Sequence, residues 1–406
     1  MGVHLAFPPP SLRPVPVGSN FTCRRCQIQP EKFLTLDAYS SPFPTWVEID
    51  LNAVAHNTRA ALKIAGVPLM AVVKSNAYGF GAPQIARTAL YAGADQLAVA
   101  RFGEARVLRE GGVTAPVLVF GMVTPPEVDE AIAQGVTLTL HSFETAELFA
   151  QRAHTAGKQV RVHLKVDTGF GRLGVLPEEV IDLARACHAL GGITVEGIYS
   201  HLAMADEAPD HLVTRQQIER FSGVLDSLQA AGLRPRWAHL GNSAAAFGLP
   251  AARFDMVRVG TALLGMKPFY FQPFPPELQR VISWKAQVAS CRQLPAGWGI
   301  SYGHEYVTVA SEWIATLPVG YGDGFRRLPG NQVLIDGQRA PVVGRVCNDM
   351  CMVRLPHAVP AGTEVVLIGR QGSEEITTDE LIDRWHTSQA DIVSSINPRV
   401  PRVYFK

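Results

Sequence analysis

Short apolar runs alternate with amphipathic segments along the chain from about residue 45. The runs are rich in β-branched residues and predict strands. The segments between them, such as PQIARTALYAG and PEEVIDLARACHALGG, place apolar residues three and four positions apart and end at glycine, which predicts helices. The predicted strands are LMAVVK (69–74), QLAVAR (96–101), PVLVFG (116–121), VTLTLHS (136–142), VRVHLKVD (160–167), VEGIYSHL (195–202), WAHLGNS (237–243) and FDMVRVG (254–260).

Eight strands in alternation with helices are typical of an α/β fold of the (β/α)8 TIM-like barrel type. A doubly wound open sheet is the alternative, but it rarely repeats in eight even units. In a barrel, functional residues gather at the carboxyl ends of the strands. The sequence places its candidate residues at these ends: Lys74, Asp167, His201, Asn242, Ser243, Arg258 and Gly260.

After about residue 275 apolar and polar residues alternate between turns rich in glycine, proline and asparagine, as in GNQVLIDGQRAPVVGRVCNDMCMVRL. This pattern predicts an all-β domain. Residues 46–62 predict a strand that can pair with the β domain, followed by a helix opened by Asn52. We therefore expect an extension at 1–44, a barrel at 45–275 and a C-terminal β domain at 276–406.

The composition excludes several classes of protein. The chain has 406 residues, of which 47% are hydrophobic and 18% charged, and its formal net charge is +1. This balance is ordinary for a globular enzyme and gives no electrostatic reason to expect a nucleic acid or an anionic membrane as partner. Because no apolar run approaches the ~18 residues of a membrane span, we expect a cytoplasmic protein.

The N-terminal 44 residues are rich in proline and lack the basic start and continuous apolar core of a secretory signal. We interpret them as a poorly ordered extension, or as the product of a start codon placed too far upstream. Cys23 and Cys26 form a CxxC pair with no second pair or suitably spaced histidines nearby. A zinc or redox site is one interpretation of this pair, and two ordinary thiols are the other.

Lys74 ends the first apolar run, in LMAVVKSNAYGFGA, where the chain enters a glycine-rich loop. It is either a strand-end lysine whose ammonium group reaches water, or an amine whose pKa is depressed at the mouth of an apolar pocket. A neutral amine there can form a Schiff base with an aldehyde cofactor. Ser243 and the amides near Gly260 follow strands seven and eight, where barrels commonly bind a phosphate.

Eight motifs extend this pattern from Trp46 to about Tyr404: AVVKSNAYGFG, HLKVDTGFGRLG, GIYSHLAMAD, GNSAA, DMVRVG, GISYGHEY, LPVGYGDG and VGRVCNDMCMV. In this order they resemble the alanine racemase family, whose members are barrel-type enzymes dependent on pyridoxal 5′-phosphate (PLP). The resemblance implies an isomerase that interconverts L-alanine and D-alanine and supplies D-alanine for cell-wall peptidoglycan. It also implies PLP as the cofactor and no metal.

The resemblance assigns the cofactor site. It implies that PLP is bonded to Lys74, that Arg258 faces the pyridine nitrogen and that His201 orients Arg258. Because a cationic arginine cannot accept a proton from that nitrogen, the ring should be a weaker electron sink than one paired with an acid. The other cofactor-binding residues that it implies are Tyr78, Asn242, Ser243, Gly260 and Thr261.

Racemisation requires proton removal on one face of Cα and delivery on the other. The resemblance names Lys74 and Tyr302 as the two bases. It implies that Arg172 contacts Tyr302 and the substrate carboxylate, with a surface arginine at a helix start as the alternative. It also implies that Lys165 is carbamylated, with a strand lysine reaching toward water as the alternative.

The resemblance further implies a homodimer with shared active sites. Lys74 lies in the predicted barrel and Tyr302 in the predicted β domain, and in the family the two meet across a head-to-tail dimer. Each site then takes these residues from the partner chain: Tyr302, Tyr321, Asn348 and Asp349. Packing in a β-turn is the alternative for Tyr321 and Asp349.

Two departures from the family pattern stand out. Asn348 occupies a position where the family usually has methionine. In the shortened tail SSINPRVPRVYFK, Pro398 stands where a phosphate-contacting tyrosine is expected, which predicts weaker cofactor binding.

Three other functions compete. The closest is a broad-specificity amino-acid racemase, and the others are an amino-acid decarboxylase of the same architecture and a non-catalytic PLP-binding barrel protein. The motif GISYGHEY and the β domain argue against the last.

Overall fold

The computed structural model describes residues 41–208 and 210–406. The predictions for Cys23 and Cys26, and nearly all of the N-terminal extension, lie outside the described residues. Within those residues no helix has the length and apolar character to cross a membrane.

A strand and a helix precede the barrel: β1 (Thr45–Asp50) and α1 (Leu51–Ala65). Asp50 ends the strand and caps the helix, because its carboxylate accepts the N–H of Ala53 at 3.0 Å. Gly66 ends the helix in the left-handed conformation, with φ 68°. The expectation that Asn52 opens this helix is wrong, since Asn52 already lies in its first turn.

The eight predicted barrel strands are confirmed, and they form one parallel sheet in the order β8-β7-β6-β5-β4-β3-β2-β9. Between β9 and the end of β8, the N–H of Arg258 donates to the carbonyl of Gly241 at 2.9 Å, which brings the two edges together. The strands are β2 (Leu69–Val72), β3 (Gln96–Val99), β4 (Val117–Val119), β5 (Thr137–Leu140), β6 (Val160–Lys165), β7 (Ile193–Tyr199), β8 (Trp237–His239) and β9 (Val257–Val259).

Helices cover the outside of this sheet. Because the strands are buried both by the helices and by the filled barrel interior, they read as continuous apolar runs rather than as alternating ones. The helices after α1 are α2 (Lys74–Tyr78), α3 (Ala82–Tyr91), α4 (Phe102–Glu110), α5 (Pro125–Gln134), α6 (Phe143–Ala156), α7 (Val180–Leu190), α8 (Leu212–Ala230) and α9 (Ser243–Gly248).

The C-terminal part is a largely antiparallel β domain with two short helices, as predicted. Its strands are β10 (Ile282–Gln287), β11 (Ser290–Leu294), β12 (Gly299–Ile300), β13 (Tyr306–Val307), β14 (Glu312–Leu317), β15 (Gln332–Ile335), β16 (Gln338–Val343), β17 (Cys351–Leu355), β18 (Glu364–Gln371), β19 (Glu374–Ile376) and β20 (Arg402–Phe405). Its helices are α10 (Thr378–Trp385) and α11 (Gln389–Ser394).

Strand β1 belongs to the sheet of the β domain, whose order is β11-β14-β17-β16-β15-β18-β10-β1-β20. It runs antiparallel to β10, with Thr45 opposite Ala286, and parallel to β20, with Asp50 opposite Phe405. The prediction that the first strand pairs with the β domain is confirmed. The start and the end of the described chain are therefore joined in one sheet.

Candidate active site

A cavity of about 540 Å³ opens at the carboxyl end of the barrel strands. The structure brings together at its wall the residues that the sequence assigned to the barrel half of the site. They are Lys74, Tyr78, Lys165, Arg172, His201, Asn242, Ser243, Arg258, Gly260 and Thr261.

Lys74 lies two residues beyond β2 and begins a turn of unusual handedness. The four residues that follow it, Ser75 to Tyr78, have φ between 52° and 55°. None of them is a glycine, and the left-handed conformation costs roughly 1–2 kcal/mol for each such residue. Burial, and then the charge of Arg172, lower the pKa of Lys74, while Glu104 acts to raise it. The net shift favours the neutral amine that a nucleophilic lysine needs.

A small cradle of hydrogen-bonding groups faces the cavity beyond β8 and β9. The N–H of Gly260 and the hydroxyl of Thr261 each lie 3.2 Å from the hydroxyl oxygen of Ser243. A Cβ atom at Gly260 would lie 2.9 Å from the hydroxyl of Tyr78, so a side chain there would fill the space. Burial raises the pKa of Tyr78, which therefore keeps its proton and can donate it to an anion. These donors suit a phosphate.

Arg258 is fixed by its two terminal nitrogens. One of them donates to the carbonyl of His239 at 2.8 Å and to the Nδ1 atom of the same residue at 3.0 Å. The other donates to Ser200 O at 2.8 Å and Leu240 O at 3.1 Å, and it lies 3.2 Å from the Nδ1 atom of His201. These five acceptors surround the four N–H bonds of the terminal nitrogens. Within the described residues the Nε–H group of Arg258 has no protein partner, so it is available to a ligand.

The contact between His201 and Arg258 was expected, but the histidine pair behind Arg258 was not. The Nε2 atom of His239 lies 2.8 Å from the Nδ1 atom of His163. Since Arg258 can only donate, His239 must accept on Nδ1 and donate from Nε2, and His163 must accept on Nδ1. Burial, and then Arg258, lower the pKa of His163 to about 3 and that of His239 well below its usual value.

Lys165 lies deep in the cavity, with its ammonium nitrogen 2.7 Å from the carbonyl of Val166. Burial, and then the charge of Arg258, lower its pKa to about 7. Arg172 is placed by the loop after β6, where Asp167 accepts N–H groups from Gly169 and Phe170 at 2.8 Å and from Arg172 at 3.1 Å. Arg172 therefore reaches the same cavity as Lys74.

The four residues assigned to the other half of the site do not line this cavity in the described part of the chain. Tyr302 and Tyr321 are 65% and 46% exposed. The guanidinium carbon of Arg327 lies 6.0 and 5.9 Å from their ring centroids. Asn348 donates to Asp349 at 2.8 Å, and Asp349 pairs with a surface arginine. These residues form a separate group on the β domain.

The prediction that Pro398 weakens cofactor binding stays a prediction. Pro398 is exposed and does not line the cavity. The C-terminal residues that line the cavity precede Pro398 in the chain and lie at the start of α11: Ser388, Gln389 and Ala390.

Two family models match nearly the whole described chain. The model described as the alanine racemase N-terminal domain covers residues 49–268, and the one described as the C-terminal domain covers residues 281–404. The chain belongs to the alanine racemase family. An alanine racemase of Symbiobacterium thermophilum is 47% identical over 366 residues, covering 89% of this chain and 97% of its own length. One of Geobacillus stearothermophilus is 41% identical over 374 residues, covering 89% and 94%.

Solved structures of the alanine racemase family have the same architecture. The alanine racemase from Bacillus anthracis with bound L-Ala-P superposes with a TM-score of 0.85 at 38% identity, covering 90% of this chain and 96% of that one. The alanine racemase from E. faecalis has a TM-score of 0.85 at 37% identity, covering 89% of this chain and 98% of that one. The barrel and the β domain are thus both features of the family.

Proposed function

We propose that this protein is a PLP-dependent racemase that interconverts L-alanine and D-alanine and works as a homodimer. The observation that carries the proposal is Lys74, an amine shifted toward its neutral form at the mouth of a cavity that also holds an anion cradle and a buried arginine. The choice of alanine as the substrate is supported by the alanine racemases to which the chain is similar.

The residues present fit PLP. Ser243, Gly260, Thr261 and Tyr78 offer donors to a phosphate at one end of the cavity. The Nε–H group of Arg258 is available for the pyridine nitrogen, and Lys74 is available for the aldehyde. When bound, PLP would withdraw electrons from the substrate Cα and make its proton acidic.

Proton transfer then needs two groups on opposite faces of Cα. Lys74 would hold or release a proton on one face. Tyr302 of a second copy would serve the other face, because in its own chain it is exposed and outside the cavity. Arg172 would bind the substrate carboxylate by a charge-assisted hydrogen bond. Exposed apolar residues on the β domain, such as Trp298, Val309 and Met350, support a contact surface there.

The first test is chemical. Purified protein should be yellow, and borohydride should fix a pyridoxyl group on the peptide that contains Lys74. The variant Lys74→Ala should take no label and lose racemase activity, whereas Lys63→Ala, on the outer end of α1, should keep both. A label on another lysine, or none, would remove the basis of the proposal.

The second test is a panel of L-amino acids with chiral detection of the product. Alanine should give the highest kcat/KM, because two tyrosines from the partner would narrow the entrance. A higher value for lysine or arginine would make the protein a broad-specificity racemase, and carbon dioxide release without inversion would make it a decarboxylase.

A further inference from the structure

The turn that carries Lys74 leaves two N–H groups without a main-chain partner within the turn. Its first main-chain hydrogen bond runs from the N–H of Ala77 to the carbonyl of Val73, at 2.8 Å. The N–H groups of Ser75 and Asn76 therefore point out of the turn, as the first donors of any helical turn do. A group outside the turn has to accept them.

That group is the carboxylate of Glu104, in the first turn of α4. Its Oε1 atom accepts a hydrogen bond from the N–H of Ser75 and a second one from the N–H of Asn76, at 3.3 Å. Its Oε2 atom accepts the N–H groups of Ala100 and Arg101 at 2.8 and 3.0 Å. One side chain thus joins the loops that follow β2 and β3.

The carboxylate also acts on the two reactive groups of the turn. Its charge raises the pKa of Lys74, against burial and Arg172, and it raises the pKa of Tyr78 as well. The bonds fix where the lysine points, and the charge opposes the loss of its proton. Burial and Arg172 on one side and Glu104 on the other therefore set the protonation of Lys74.

We propose that Glu104 is a positioning residue of the active site: its carboxylate holds the left-handed turn after β2 so that Lys74 and Tyr78 face the same cavity. The inference rests on the proposed function, in which Lys74 bonds to PLP. Glu104 is not a catalytic residue, because it contacts the backbone of the turn and not the cavity.

The chain provides a matched control in the next helix. Glu127 occupies in α5 the position that Glu104 occupies in α4, and its Oε2 atom accepts the N–H of Thr124 at 2.8 Å. The variants Glu104→Gln and Glu127→Gln each remove one helix-capping carboxylate. Only Glu104→Gln also removes the carboxylate that accepts the N–H groups of Ser75 and Asn76. An effect that both variants share is therefore an effect of losing the helix cap.

Two measurements on protein stripped of cofactor test the proposal. The first is the rate at which added PLP becomes fixed on Lys74, followed by the appearance of yellow colour and by borohydride trapping. Glu104→Gln should slow this step by about tenfold or more, because a misplaced nucleophile loses its orientation. Glu127→Gln should leave the rate unchanged.

The second measurement is the pH profile of Lys74 labelling by a small acetylating reagent, with the labelled peptide quantified by mass spectrometry. Without the carboxylate, half-maximal labelling should move to lower pH in Glu104→Gln and stay in place in Glu127→Gln. Glu104→Asp keeps the charge but is too short to reach both loops. It should therefore slow PLP capture without moving the profile.

Unchanged capture and an unchanged profile in Glu104→Gln would overturn the proposal, as would equal effects of the two glutamine variants. If Glu104→Gln does not fold, the comparison of Glu104→Asp with Glu127→Asp decides, and normal capture in the former overturns it. Wild-type protein that takes no PLP would refute the proposed function. The labelling profile, which uses no PLP, would still test the role of Glu104.

Discussion

Lys165 and three histidines, His163, His201 and His239, lie near Arg258, and the barrel interior shifts each of them toward its neutral form. Burial is the main cause: it lowers the pKa of Lys165 to about 7 and that of His163 to about 3, and it takes those of His201 and His239 well below their usual value. Arg258 keeps a pKa of about 10. Above pH 7 it is therefore the main positive charge among these five groups.

The buried histidines make a prediction for stability against pH. The imidazole of His163 titrates near 6.5 when the chain is unfolded and near 3 when it is folded. Between these values the unfolded state binds the extra proton, so the free energy of unfolding falls as the pH drops, by up to about 1.4 kcal/mol per pH unit. The variant His163→Gln keeps an acceptor for His239. Between pH 6 and pH 4 its free energy of unfolding should fall less than that of the wild type, by up to about 1.4 kcal/mol for each pH unit.

Urea unfolding at a series of pH values measures this difference directly, since each curve gives a free energy of unfolding for both proteins. Parallel pH profiles for the wild type and His163→Gln would contradict a neutral His163 in the folded state.

Among single residues, the sequence predicted the functional side chains at the ends of strands. It did not predict the buried side chains that contact them. The contact of His201 with Arg258 was predicted through the resemblance, and it is present. His163 and His239 lie within predicted strands, but their contact joins positions 76 residues apart. Such a contact depends on how the barrel closes, which no local pattern encodes.

Among the elements, the last strand, β20, forms hydrogen bonds with the loop that follows β2, the first strand of the barrel. Arg402 and Tyr404 of β20 donate to the carbonyls of Gly79 and Phe80, each at 3.0 Å. Gly81, with φ 94°, lies so close to Tyr404 that a Cβ atom there would be 1.9 Å from the tyrosine oxygen. The β domain therefore helps to set the position of the turn that carries Lys74.

This contact predicts a coupled pair of substitutions. Gly81→Ala should lower the free energy of unfolding by about 1–3 kcal/mol and weaken PLP binding, because it adds both a clash and backbone strain. Tyr404→Phe removes the clashing oxygen, and the next atom of that ring would then be 3.0 Å away. The double variant should recover part of the loss. A double-mutant cycle in urea measures this coupling, and simple additivity would show that the two residues do not meet.

The eight barrel strands and the pairing of β1 could be predicted because apolar runs and their spacing determine them. The handedness of the turn after Lys74 could not. Its residues, Ser-Asn-Ala-Tyr, contain no glycine, and one asparagine does not predict four consecutive residues with left-handed φ values. The sequence of the tail likewise does not reveal that the start of α11 reaches the cavity.

On the scale of the whole molecule, the two proposed bases belong to different parts of one chain and do not meet within it. If sites are shared between copies, a mixture of Lys74→Ala and Tyr302→Phe chains should regain activity that neither variant has alone. Half of the randomly mixed dimers would be hybrids with one intact site each, so activity should reach about a quarter of the wild-type value.

Refolding the two variants together and assaying alanine racemisation measures this recovery, and each variant refolded alone provides the baseline. Spectral binding of PLP should persist in Tyr302→Phe, which retains Lys74. If hybrids that are separated by a tag on one chain remain inactive, both bases must come from a single chain.

The position of β1 has a consequence for how the protein is made. Thr45 hydrogen-bonds to Lys285, 240 positions later, and β20 is near the end of the chain. At translation rates of roughly 5–20 residues per second, β1 leaves the ribosome roughly 10–50 s before β10. During that interval a strand that is buried in the native protein has no partner, although the barrel beside it can already fold. A gene cut between the two domains would therefore produce a barrel fragment with an open, aggregation-prone strand.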